Sequence, residues 1–225
     1  MTTTPFKALL VEGTSGVGKS TLIDTLIRLH VNSAPPRKIR TLVHLAQSHT
    51  YGPLAVPEDC GTLTVAENQS HLERVVSHIE WLHACVQEHS KPWCFVLIDS
   101  LHLTHCVRPG IVQWSDVAPF DDRLAALGCK LLFLQTSPAS LWERGILPRQ
   151  NEQFIQQYAK KFGDTAEEIH RHFVKEQETL DDLFAHSSMP KLFMENDAAP
   201  EAVQEKAFSF WTQCSSVPSV VNDFR

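Results

Sequence analysis

The stretch GTSGVGKST, residues 13–21, stands between the apolar run FKALLVE and the amphipathic run LIDTLIRLH. It constrains the fold more than any other part of the chain. Gly13, Gly18, Lys19 and Ser20 meet the spacing G-x-x-x-x-G-K-S/T, with a strand pattern before and a helix pattern after. Wrapping a phosphate chain in backbone N–H groups needs φ values and close approaches that side chains obstruct and glycine permits. A helix starting near Gly18 adds its free N–H groups and its dipole, and Lys19 supplies a cation for the β- and γ-phosphates. Ser20, with Thr21 beside it, is placed to ligate Mg²⁺. The whole loop, Gly13, Thr14, Ser15, Gly16, Val17, Gly18, Lys19, Ser20 and Thr21, is therefore the expected nucleotide cradle.

Four later stretches repeat the theme of the first strand: KIRTLVHL (38–45), WCFVLIDS (93–100), KLLFLQT (130–136) and KLFMEND (191–197). Helical periodicities lie between them, as at Leu22, Ile23, Leu26, Ile27 and at Leu72, Val75, Val76, Ile79, Leu82, Val86. Alternation of buried strand and amphipathic helix predicts an α/β fold, a parallel sheet covered on both faces. With the loop, this becomes a three-layer P-loop NTPase fold of five strands in the order 2-3-1-4-5. A single domain is expected over 1–225, with a helical lid at about 137–150 and a C-terminal helix and tail at about 199–225. The proline-bearing stretches 33–37 and 51–58 and the tract 101–121 read as loops.

Composition narrows the partners. Apolar residues make up 43% of the chain and charged residues 20%, which suits a protein that buries a core. A net charge of -6 without a Lys/Arg cluster argues against nucleic acid and anionic lipid as partners. Apolar runs are short and no basic stretch with a long apolar run opens the chain, so it reads as cytoplasmic and not membrane-spanning. The six cysteines, Cys60, Cys85, Cys94, Cys106, Cys129 and Cys214, form no C-x-x-C pair and read as buried reduced thiols.

Loop and order alone leave the reaction open. The guanine-reading N-K-x-D, a D-x-x-G after the third strand and the LSGGQ-type signature are absent. The positive signal lies in LLFLQTSPASLWERGILPRQNEQFIQQYAKKFG. There Ser137 and Pro138 open a helix carrying Glu143 and Arg144, Pro148 closes it, Arg149 follows, and a further helix runs from about 151 to 162 up to Gly163. Thr165 to Glu168 has the spacing of a capping box. Together with LVEGTSGVGKSTLIDTL, this resembles the thymidylate kinase and deoxynucleoside kinase group of P-loop phosphotransferases. The resemblance implies ATP and Mg²⁺ as cofactors and a lid that closes on ATP and delivers Arg144 and Arg149. It further implies transfer of the γ-phosphoryl to a small acceptor such as a nucleoside or nucleotide. An arginine's planar fork suits a phosphoryl group in flight, and a closing segment excludes water.

Asp99 ends the strand CFVLID, at the edge where a parallel sheet opens its crevice, and is expected to serve Mg²⁺ or the acceptor. The chain departs from the resemblance here, with Asp99, Ser100, Leu101 where the group carries Asp-Arg or Glu-Arg-Ser. After the second strand no acid occurs before Glu58. Arg74, His71 and His78 read as a water-facing stripe. His102, His105 and Cys106 are close in sequence without a second ligand-rich segment, so zinc is not expected. The five tryptophans read as core or interface residues. The alternative to a kinase is a nucleotide-dependent regulator or ATPase whose loop acts as a switch, and the tail from Ser215 leaves a homodimer open.

Overall fold

The centre of the sheet is β1 (Phe6–Glu12), every residue of which is buried. In the computed structural model, which describes residues 6–33, 40–88, 93–108, 110–149, 151–197 and 200–213, β3 (Trp93–Asp99) and β4 (Lys130–Gln135) flank it. β2 (Arg40–Leu45) lies outside β3 and β5 (Lys191–Glu195) outside β4, giving the expected order 2-3-1-4-5. Every pairing is parallel, and Val11 stands opposite Asp99 in register. The end of β3 is thereby fixed beside the loop that leaves β1.

Parallel strands need cover on both faces, and the period of two along β1 divides the core accordingly. Phe6, Ala8 and Leu10 face a layer that includes Leu72, Val76 and Ile79 of α4 (Val65–Glu88) and Val117 and Leu124 of α6 (Trp114–Ala126). Leu9 and Val11 face Leu22, Ile23 and Leu26 of α1 (Lys19–Asn32) and Ala207 and Trp211 of α10 (Pro200–Thr212). Lys7 and Lys130, both buried, reach carbonyls at the end of α10: Lys7 donates to Gln213 and Lys130 to Phe210 and Gln213. Cations placed on unpaired C-terminal carbonyls satisfy both partners.

Two stretches read as loops are helical. Residues 51–58 fall largely in α3 (Gly52–Asp59), following the short α2 (Gln47–Thr50). Pro53 sits in its first turn, where a missing N–H costs no helical bond. The tract 101–121 holds α5 (His102–Val107) and most of α6, whose start is closed by a reciprocal capping box of Gln113 and Asp116. Pro119 lies inside α6, but burial of Val117, Phe120 and Leu124 outweighs the bond it removes. The stretch 33–37 lies almost wholly outside the described residues, as do Cys214 and the tail from Ser215.

Three further expectations change. His71 is buried rather than water-facing, because its Nε2 donates toward the carbonyls of His49 and Thr50, while Arg74 and His78 are exposed as read. Cys60 is exposed at the end of α3, whereas Cys94 and Cys129 are buried. Of the tryptophans read as core or interface residues, Trp211 is fully buried in the core and Trp81, 60% exposed on α4, is not. Among the described residues no helix is long and apolar enough to cross a membrane.

Candidate functional site

Between β1 and α1 the chain turns through the glycine loop. Gly13 adopts φ 150, and a Cβ there would collide with the Leu134 carbonyl. Gly16, at φ 89, approaches Gly145 so closely that a Cβ would lie 3.1 Å from its Cα. Gly18 then opens α1 with no side-chain cap, leaving the first N–H groups of the helix pointing into the loop. Lys19 is buried, and its Nζ donates to the carbonyls of Gly13 (2.6 Å) and Thr14 (3.0 Å). Burial pushes its ammonium below the usual lysine range; the Asp99 carboxylate pulls the other way and the Arg108 guanidinium adds to the fall.

The loop floors a cavity of about 500 Å³. Of the residues singled out from sequence, Ser15, Gly16, Val17, Gly18, Lys19, Ser20, Thr21, Asp99, Arg144 and Arg149 line it. Gly13 and Thr14 lie behind, Thr14 with no exposure at all. Ser20 and Thr21 are exposed at the start of α1, and Asp99 is 8% exposed at the end of β3. After Asp99 the backbone enters the left-handed region at Ser100, φ 57, a conformation uncommon for a side-chain-bearing residue. Ser100 N donates to the Val11 carbonyl and its hydroxyl to Asp99, so the strained step holds the carboxylate against β1.

The predicted lid is a chain of three short helical forms. Ser137 caps α7 (Pro138–Ser140), accepting from Ser140 N as the sequence implies. The helix then widens to i→i+5 bonding over Leu141–Ile146 and tightens to a 3₁₀ turn over Leu147–Arg149. Pro148 thus sits inside the last turn and does not end the segment; Gln150 lies outside the described residues. Arg144 points to the turn after β5: it donates to the Asn196 carbonyl (2.7 Å) and pairs with Asp197 (3.2 Å). Partial burial works against the Asp197 charge, but hydrogen bonds from Thr136, Ser140 and Ser137 outweigh it and hold the carboxyl well below its usual range. Arg149 is exposed and makes no ion pair among the described residues.

Several residues outside the predicted site line or brace it. Asn196 donates from Nδ2 to the Val17 carbonyl at 2.7 Å, tying the β5 turn to the loop. Gln47, directly after β2, lines the cavity, and its buried Nε2 has no hydrogen-bond partner. Tyr158 of α8 (Glu152–Phe162) and Gln204 of α10 line it as well. Glu12, fully buried, accepts from Leu101 N and from the Thr104 hydroxyl, both at 2.7 Å, and so bolts the start of α5 to β1. His102 and His105 have structural partners: His102 donates to Asp121 at 2.9 Å, and His105 donates to the Thr50 carbonyl at 2.9 Å and meets Asn68 at 2.8 Å.

The fold and the loop define the class: a parallel α/β sheet of order 2-3-1-4-5 whose first strand runs through a glycine-rich turn into α1. In sequence the chain matches no family model and no curated protein. In structure it is similar to the YorR protein of Bacillus subtilis, solved in complex with phosphorylated GDP. The two superpose with a TM-score of 0.54 at 11% identity, over 88% of this chain and 92% of that one. At that identity the likeness is one of fold.

Proposed function

We propose that the chain is a small-molecule kinase: it binds ATP with Mg²⁺ and moves the γ-phosphoryl to a small acceptor, a nucleoside, a nucleotide or another hydroxylated metabolite. The observation that carries this reading is the gathering of Lys19, Ser20, Asp99, Arg144 and Arg149 around one cavity, drawn from three separate stretches of the chain. The similarity in fold to a protein solved with a guanine nucleotide supports nucleotide binding, and leaves the choice between ATP and GTP to experiment.

The residues suit both cofactors. Loop amides and the N-terminus of α1 suit the phosphates, with Lys19 as their mobile cation. The Ser20 hydroxyl and the Asp99 carboxylate are the hard oxygen donors that Mg²⁺ prefers, and the ion, when bound, would supply charge neutralisation on the phosphates. Gln47 lines the cavity, and its buried, unpaired amide N–H is suited to an acceptor oxygen once a ligand or side-chain turn brings the two together. The lid segment, resting on Gly16 through Gly145, would keep water from the transferring group.

Thermal shift and an acceptor screen test the reading. ATP with Mg²⁺ at a hundred times its Kd should add about 2.7 kcal/mol of stability. A panel of nucleosides, nucleoside monophosphates and hydroxylated metabolites should then include one that triggers ADP release. No shift at millimolar ATP or GTP would end the nucleotide reading. A shift without any acceptor-dependent turnover would favour the regulator or ATPase.

A further inference from the structure

We propose that Arg108 is the guanidinium that clamps the γ-phosphoryl during transfer, a task that the sequence resemblance assigns to Arg144 and Arg149. The proposal rests on the phosphoryl-transfer reading above. Arg108 comes directly after α5 and reaches the cavity through Ser15, which lines it. Glu12 fixes the first turn of α5, and His105 fixes its last through Thr50 and Asn68. From that frame Arg108 reaches the phosphate loop, with Nη2 3.4 Å from the Ser15 hydroxyl.

The guanidinium sits over an aromatic ring. Its carbon lies 5.2 Å from the centre of the Tyr51 ring. Tyr51 is 2% exposed and donates its hydroxyl to Glu58 at 2.6 Å, so the ring is pinned at both ends. A cation–π contact of this kind biases where the fork lies without consuming its N–H donors.

The fork also lacks a counter-charge. Arg123 is paired with Glu73 and Glu80, and Arg144 with Asp197. Arg108, half-buried, has no carboxylate at ion-pair distance among the described residues. Glu176 is buried close enough for its ionisation to respond to Arg108 and Lys19, yet burial drives it toward the neutral acid. Lys19 meanwhile holds the carbonyls of Gly13 and Thr14, one residue from the Ser15 that Arg108 touches. Two cations thus converge on one side of the loop; Asp99, Glu176 and Glu12 bear on Lys19, whereas Arg108, with no carboxylate at ion-pair distance among the described residues, is the one an added anion would serve.

In the transfer, the bond from the γ-phosphorus to the bridging oxygen breaks and ADP leaves with its electron pair. The acceptor oxygen forms the new bond to phosphorus and its proton passes to solvent. Arg108 takes no covalent part; it faces the charge spreading over the γ-oxygens.

Affinities of wild type, Arg108→Ala, Arg108→Gln and Arg108→Lys for ATP, ADP and inorganic tripolyphosphate, each with Mg²⁺, test this by calorimetry. Losing a charge-assisted bond to the γ-phosphate should weaken ATP and tripolyphosphate by more than about tenfold. ADP should change by less than about twofold, since it lacks the group contacted. Turnover with a productive acceptor should fall on the order of 10³-fold in the alanine and glutamine variants, and lysine should recover little of it. Equal losses for ATP and ADP would make Arg108 a structural support for the loop and overturn the proposal, as would wild-type ATP affinity in a folded variant. The glutamine variant keeps the test available if alanine fails to fold. Wild type that binds neither nucleotide would overturn the kinase reading itself, a result distinct from any difference between variants.

Discussion

Glu12, a carboxylate without exposure to water, determines where the crevice's helical wall begins. Both of its oxygens accept from the segment Leu101–Thr104, so its charge is spent on structure although it lies one residue before the glycine loop. Glu12→Gln keeps the shape but turns one acceptor into a donor facing a donor. The mismatch should cost about 1–3 kcal/mol, read as a lower urea midpoint with an unchanged slope, and should loosen the frame that carries Arg108. An unchanged midpoint would remove Glu12 from that role. At this scale the sequence is unevenly legible. The loop residues and Asp99 can be found from spacing and strand position. Glu12 reads as the plain end of an apolar run, and Arg108 is hidden by the Pro109-Gly110 that follows it, a pair that marks a turn and masks the short helix before it. Gln47 and Asn196 carry no local signal at all; their roles come from strand ends that only the assembled sheet brings together.

Among the elements, the segment predicted as a lid, 137–150, departs furthest from its sequence pattern. Its start is legible because a serine before a proline has a local physical meaning, and Ser137 does cap. The widening over Leu141–Ile146 is not, since it answers to tertiary contact and not to a period of 3.6. Gly145 meets Gly16 in that stretch, with a Cβ on Gly145 placed 3.3 Å from both the Gly16 Cα and a Leu141 methyl. Alanine would require the Gly16 backbone and the Leu141 methyl to give by a few tenths of an ångström, and a branched side chain would press on both much harder. Gly145→Val should therefore lift the lid from the loop. For the kinase proposed above, the expected result is turnover reduced by at least about tenfold, in line with closure contributing to catalysis, and a larger share of ATP hydrolysed without transfer. Wild-type partition between transfer and hydrolysis would show that this contact does not seal the site.

For the molecule as a whole, alternation of strand and helix makes the sheet order legible. The closure of the chain is not, because Lys7 and Trp211 meet across 204 residues with no local trace. The same long-range burial governs how stability follows pH. Burial lowers the His105 pKa to about 3, with His71, His102 and Arg108 adding to the effect and the bond to Thr50 resisting it. Folded His105 is thus neutral where the unfolded residue, at its ordinary 6.5, takes up a proton. The sign follows: its contribution is complete above about pH 6.5 and drains as pH falls toward about 3, at up to about 1.4 kcal/mol per pH unit. His30 and His71, also lowered by burial, act in the same direction. Asp121 extends the loss. Burial opposes its charge, but hydrogen bonds from His102, Ser187 and Ser188 hold it at about 2 against an ordinary 3.8. Its contribution is present above that ordinary value and is lost between the two. Glu176, raised by burial, works the other way and offsets part of the fall. With several histidines against one glutamate, the urea midpoint should drop measurably between pH 7 and pH 5. His105→Gln should flatten that dependence while lowering the midpoint at pH 7, since an amide can donate to Thr50 but leaves the Asn68 contact poorly met. A midpoint as steep in pH for the variant as for wild type would place the titrating group elsewhere.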